Sequence, residues 1–138
     1  MEKKTSCGVI LTDGKKLLAI KPYGKPHALD IPKGKKELGE RDAQTASREL
    51  FEETGIRISP ESLRPLGTFY YMANKDLSLF VYKTTKLPPI SSLSCSSYFT
   101  NDYGKKVPEA VGFTYVPFDN PHFYRTLQPI LSKLQKNI

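Results

Sequence analysis

The chain has no tryptophan, and only two cysteines and two methionines among its 138 residues. Two cysteines, Cys7 and Cys95, are too few for a disulfide framework. With no histidine at ligand spacing, they do not suggest zinc either. Two free thiols are expected, Cys7 in a core strand and Cys95 in a serine-rich loop. Long hydrophobic runs are also missing: none approaches the roughly 18 residues of a membrane span. The start, Met1-Glu2-Lys3-Lys4-Thr5, has neither the apolar segment nor the cleavage site of a secretory leader. A cytoplasmic protein without membrane association is therefore expected. Acidic residues are the scarcer charge, with 14 Asp and Glu against 21 Lys and Arg, for a formal net charge of +7. Such an excess favours polyanionic partners, among them nucleic acid and polyphosphate nucleotides. It also serves solubility with no partner at all.

What is present fits a soluble globular chain: 38% hydrophobic and 25% charged residues. The length suits one domain spanning 1–138 and is too short for two. Residues 5–12 read as a strand, Asp13-Gly14 as a turn, and 16–21 as the returning strand of a hairpin. A short strand is expected at 27–31, ending at Pro32. Residues 41–54 read as a helix stopped by Gly55 in a left-handed conformation. Strands follow at 66–72 and 77–84, around an Asn74-Lys75-Asp76 turn. A long polar loop covers 86–106, where a functional or mobile segment is expected. A strand at 110–116 and a helix over 124–135 complete the chain, with Pro129 near the helix start or kinking it. Several strands, a helix, more strands and a helix predict an α/β fold with helices packed on a mixed sheet.

The chemistry concentrates between Gly34 and Ile56. At about 100° per residue, Ala43, Ala46, Leu50 and Thr54 share one small, mostly apolar face that can press on a sheet. Glu49, Glu52 and Glu53 share a neighbouring face. Like charges three and four residues apart repel. They also sit near the helix C-terminus, where the dipole disfavours anions. Such a cluster is costly without a compensating cation, and hard divalent cations prefer carboxylate oxygens. A solvated acidic stripe answered by nearby lysines and arginines is the alternative.

The segment resembles the Nudix box: Gly, five residues, Glu, seven residues, Arg-Glu, an aliphatic residue, any residue, Glu-Glu, any residue, Gly and an aliphatic residue. Gly34, Glu40, Arg48, Glu49, Leu50, Glu52, Glu53, Gly55 and Ile56 fill every fixed position. Chance agreement is on the order of 10⁻⁹ to 10⁻⁸ per window. The resemblance implies a Nudix-type α/β/α sandwich with a mixed β-sheet and a Mg²⁺-dependent hydrolase of diphosphate bonds, Mn²⁺ being the alternative cofactor. It implies Glu49, Glu52 and Glu53 as metal ligands, one of them acting on water instead. Glu40 becomes a further acidic contact or the partner of Arg48, and Arg48 a salt-bridge residue holding the helix to its loop. Gly34 would let the backbone approach a metal. Beyond the box, Cys7-Gly8-Val9-Ile10 resembles the family's opening strand. Pro108-Glu109-Ala110 makes Glu109 a further candidate ligand or base, or else a solvated strand-edge carboxylate.

For the substrate, Pro32-Lys33-Gly34 resembles the branch acting on dinucleoside polyphosphates. Lys33 and Lys35 are candidate phosphate contacts, extended by Lys36, or else solvated loop lysines. A nucleobase needs a surface to stack on. Tyr70 and Tyr82 are candidates on strands, and Tyr98, Phe99 and Tyr103 in the long loop. A nucleotide substrate comes first, with an RNA 5′ end or a nucleoside triphosphate as alternatives. A silent Nudix domain that only binds nucleotide or RNA is the reading from another class, as is a small basic RNA-binding module; the intact glutamate set argues against both.

Overall fold

The computed structural model describes residues 3–138. Its frame is a mixed sheet built on β1 (Lys4–Thr12), whose last seven residues are all buried. The chain turns at Gly14 and returns as β2 (Lys16–Pro22). Asp13 holds this turn by accepting hydrogen bonds from the Lys15 and Lys16 amides. β1 divides its partners: its end pairs with β2 at Thr12–Leu17, and Ser6–Gly8 pair with β3 (Lys33–Lys35). Gly8 makes that approach feasible, because a Cβ there would come within 2.9 Å of the Lys33 Cβ.

The strand expected at 27–31 lies instead at Lys33–Lys35. Leu29 and Asp30 form only isolated bridges, Asp30 to Ile20 and Leu29 to Phe123. Pro32 has no amide to continue a ladder, while its carbonyl accepts from Val9. The glycine-bearing residues after it can lie close against β1.

The remaining strands are β4 (Arg64–Met72), β5 (Lys75–Lys83), β6 (Tyr98–Thr100), β7 (Lys106–Pro108) and β8 (Ala110–Pro117). The main sheet runs β4-β5-β1-β2-β8, with β3 beside β1; β1 and β5 are parallel and the other pairs antiparallel. Asn74 takes a positive φ of 61° at the β4–β5 turn, a conformation asparagine tolerates. β6 and β7 form a separate hairpin that begins inside the segment read as a loop over 86–106 and runs past its end to Pro108.

Helix α1 (Asp42–Thr54) covers one face of the sheet. Its Ala46 and Leu50 pack with Cys7, Val9, Leu63 and Phe80. The other face carries the larger cluster, in which Ile10, Leu17, Leu77 and Leu79 meet Phe118, Phe123 and the residues of α2 (Gln128–Leu134). Helix α2 begins four residues later than the sequence pattern predicts. Pro129 lacks a donor, so it is tolerated in a first turn, and it occupies one here. The result is the α/β/α sandwich with a mixed sheet that the sequence implies. Both cysteines are free thiols. Burial pushes the Cys7 thiol up to about 12, so it is inert packing. Among the described residues, no helix is long and apolar enough to cross a membrane.

Candidate active site

The buried side of α1 is not purely apolar. It runs Thr45, Ala46, Glu49, Leu50, Glu53 and Thr54. Two glutamates therefore point at the sheet rather than into solvent. The helix ends at Gly55, in the left-handed region at φ 81°, with its amide donating to the Phe51 carbonyl at 2.8 Å. The last-turn carbonyls would otherwise lack partners. The long loop supplies them: the Ser94 amide donates to the Thr54 carbonyl at 3.0 Å, and the Ser96 amide to the Glu52 carbonyl at 2.7 Å. That tether draws the loop across the end of α1. The Glu109 amide then donates to the Ser97 carbonyl at 2.9 Å, which sets Glu109 beside the helix.

The consequence is a convergence of three carboxylates. One oxygen each of Glu49, Glu53 and Glu109 lies within 4.8 Å of the others, Glu49 and Glu53 being buried. The Lys33 amide donates to Glu53 at 3.1 Å. Gly34 faces Glu49, and a Cβ there would overlap the Glu49 carboxylate. Gly34 thus serves by lacking a side chain, since its φ is not positive.

Burial, then the neighbouring Glu49, push the Glu53 carboxyl up to about 10. Glu49 is raised as well, by burial first. The two are hydrogen-bonded to each other, so without a cation they hold a proton between them. A group of buried acids that resists ionisation suits a hard divalent cation, whose charge would replace that proton.

Arg48 organises the second half of the site. Its guanidinium donates to Glu40 at 2.7 and 3.0 Å, to Glu49 and Glu52 at 2.9 Å each, and to the Lys35 carbonyl at 3.1 Å. Hydrogen bonds from Arg48 hold the Glu40 carboxyl down at about 2. Glu40 also accepts from the Thr45 hydroxyl at 2.9 Å and the Glu37 amide at 2.9 Å. It fastens the loop to the helix through Arg48, the structural role the sequence offered for both.

The sequence-predicted residues do not all assemble. Glu52 sits outside the triad, one-third exposed and paired with Arg48. Glu109 sits inside it. Lys33 turns its ammonium to Asp30 at 2.9 Å rather than into solvent. Lys35 is exposed and offers its carbonyl to Arg48. Tyr82 packs half-buried under α1, whereas Tyr70 stands 71% exposed on β4. Sequence reasoning missed Asp30, a buried acid whose only local signal is its spacing of three from Lys33. It also missed Tyr23, whose exposed ring meets Phe99 edge-on at 5.9 Å and whose amide donates to the Glu109 carbonyl at 3.3 Å.

The NUDIX domain profile matches residues 2–92. The chain is 34% identical to an uncharacterised 17.7 kDa protein of Enterobacteria phage T4, encoded in the e–segB intergenic region, over 99% of this chain and 95% of that one. Among solved structures it is similar to a NUDIX hydrolase from Nitrosomonas europaea, with TM-score 0.68, 18% identity, and coverage of 99% and 72% of the two chains. It is also similar to a C. elegans Ap4A hydrolase in a binary complex, with TM-score 0.69, 20% identity, and 96% of each chain covered. The fold is the one these NUDIX hydrolases share. The chain belongs to the NUDIX domain family.

Proposed function

We propose that the chain hydrolyses a diphosphate bond of a dinucleoside polyphosphate, using Mg²⁺, or Mn²⁺ in its place, held by Glu49, Glu53 and Glu109. The observation that carries this is the convergence of three carboxylates, two of them buried, at the end of the box helix. A divalent ion bound there would neutralise phosphate charge and activate a water. The chain's own residues do the rest. Arg48 fixes the direction of Glu49 and holds Glu52 at the rim. Glu40 anchors Arg48. Gly34 leaves room for the Glu49 carboxylate, and the Lys33 amide orients Glu53. Lys35 adds positive charge at the edge where phosphate would enter, and exposed Tyr70 offers a ring to a base. The polyphosphate reading is supported by Pro32-Lys33-Gly34 and by the likeness to a protein described as an Ap4A hydrolase.

The test is a panel of diadenosine tetraphosphate, nucleoside triphosphates, ADP-ribose and 5′-triphosphorylated RNA, each with Mg²⁺, with and without chelator. Chelator-sensitive cleavage with diadenosine tetraphosphate preferred is the expected result. Preference for another member reassigns the substrate. Silence across the panel with nucleotide binding intact would overturn the reading in favour of a binding-only domain.

A further inference from the structure

β1 and β2 pair only where they leave their turn, at Thr12–Leu17. Farther along, the crossing from Asp30 to Lys33 lies between them. On the β2 side, Ile20 and Asp30 exchange backbone hydrogen bonds of 2.8 and 3.0 Å. On the β1 side, the Val9 amide donates to the Pro32 carbonyl at 3.1 Å, and Gly8 stands opposite Lys33. This crossing delivers two contacts to the carboxylate site. The Lys33 amide meets Glu53, and Gly34 makes room for Glu49. Where the backbone places Lys33 therefore sets both.

The crossing is too short for a ladder to hold it, and Pro32 has no amide to give. The Asp30 carboxylate holds it instead. One oxygen accepts from the Ile31 amide at 2.8 Å, the other from the Lys33 ammonium at 2.9 Å. Every backbone amide from Asp30 to Lys33 then has its acceptor, as buried donors require. The side chains of Asp30 and Lys33 are only 11% and 18% exposed. A buried ion pair seldom adds net stability over apolar residues of similar size. What this one adds is direction: a short acid bonded both to the next amide and to the ammonium three residues on fixes the backbone between them. Asp30 lies outside the triad, so it acts on the site through Lys33.

We propose that Asp30 is a positioning residue for the carboxylate site. Its bond to the Lys33 ammonium fixes the crossing, so that the Lys33 amide orients Glu53 and Gly34 stays clear of Glu49 for metal binding. This rests on the hydrolase reading above and deepens it.

The experiment compares the full wild-type chain with Asp30→Asn, Lys33→Met and the two combined. Either single change leaves a buried charge unpaired and destabilises the chain. The double variant leaves none, so it keeps the test open where a single variant fails to fold. In chelator, amide hydrogen exchange at Lys33 is read against Leu79 in the interior strand β5, which reports global opening. Exchange at Lys33 relative to Leu79 should quicken at least about tenfold in the double variant. Mn²⁺ affinity, followed by electron paramagnetic resonance, should fall by about ten- to a hundredfold, the range for a group that orients a metal ligand. With diadenosine tetraphosphate, kcat should fall by a similar factor and KM should stay within about twofold. Losses in the folded single variants and in the double should be about equal rather than additive, because each breaks the same bond. A double variant with wild-type exchange, Mn²⁺ affinity and kcat overturns the proposal. So does a raised KM confined to the chains carrying Lys33→Met, with Mn²⁺ affinity kept, which would make the lysine a substrate contact instead. Exchange and Mn²⁺ binding need no substrate, and this separates the two claims. Coupled losses of both in a chain that hydrolyses nothing sink the hydrolase reading alone. Unchanged exchange and Mn²⁺ binding beside intact hydrolysis sink the role of Asp30 alone.

Discussion

The carboxylate of Glu49 occupies the space where a side chain on Gly34 would begin. The glycine of the loop and the first glutamate of the triad are thus one steric unit. Gly34→Ala should displace the carboxylate by rotation of a flexible side chain rather than by moving backbone. Stability should fall by only about 1 kcal/mol, the low end for overpacking. Activity should fall at least about 100-fold, the scale of a lost acid–base or charge-stabilising group. Steady-state kinetics beside a thermal melt measure both. A large loss of stability with activity kept would contradict this account of the glycine.

Arg48 donates to three carboxylates and one carbonyl, and about a quarter of its side chain is exposed. Removing it leaves Glu40, Glu49 and Glu52 without their cation. Arg48→Ala should cost about 1 to 3 kcal/mol, after allowing for solvent screening. Arg48→Lys should recover only part, because an ammonium cannot span the same fork. Urea denaturation at matched pH distinguishes the variants, and equal stabilities would refute the bridging role.

Glu53 gives the metal-free protein a signed pH dependence. Its carboxyl is raised from 4.5 to about 10, so the folded state binds more protons than the unfolded state across that interval. Stability should therefore fall as pH rises through it. Melting temperatures taken in chelator from about pH 5 to about pH 9 should decline. Glu53→Gln, which cannot ionise, should flatten that decline and raise the melting temperature at the alkaline end while abolishing turnover. A wild-type slope that the variant leaves untouched would show that some other group sets it.

Gly55 ends α1 in the left-handed region, at φ 81°. A Cβ there meets only Ser94 at ordinary contact distance, so Gly55→Ala tests conformation and not space. It should lower stability by about 1 to 2 kcal/mol and leave KM close to wild type. Loss of activity without loss of stability would point to a role for the glycine in the site itself.

The box was legible because its chemistry is local. The period of the small residues placed α1, the glycine stopped it, and Arg48 with Glu40 share one short segment. Glu109 was only a candidate because its place depends on long-range bonds from Ser94 and Ser96 to the end of α1. No local pattern encodes those. The β6–β7 hairpin went unread because each strand is only three residues long, too short to show an alternating pattern. The strand read at 27–31 fell at 33–35 because strand position there is set by a glycine on the neighbouring strand. Tyr70 and Tyr82 were both stacking candidates on strands, yet one stands exposed on the edge strand β4 and the other lies under a helix.

The proposed hydrolysis stands on Glu49, Glu53 and Glu109 together holding a divalent cation. Mn²⁺ titration followed by electron paramagnetic resonance tests it directly, on the wild-type chain and on Glu49→Gln, Glu53→Gln and Glu109→Gln. Saturable binding is expected in the wild type, strengthening as pH rises and the proton on the pair is released, and weakened at least about tenfold in each variant. No binding by the wild type, or binding that survives all three substitutions, would contradict it.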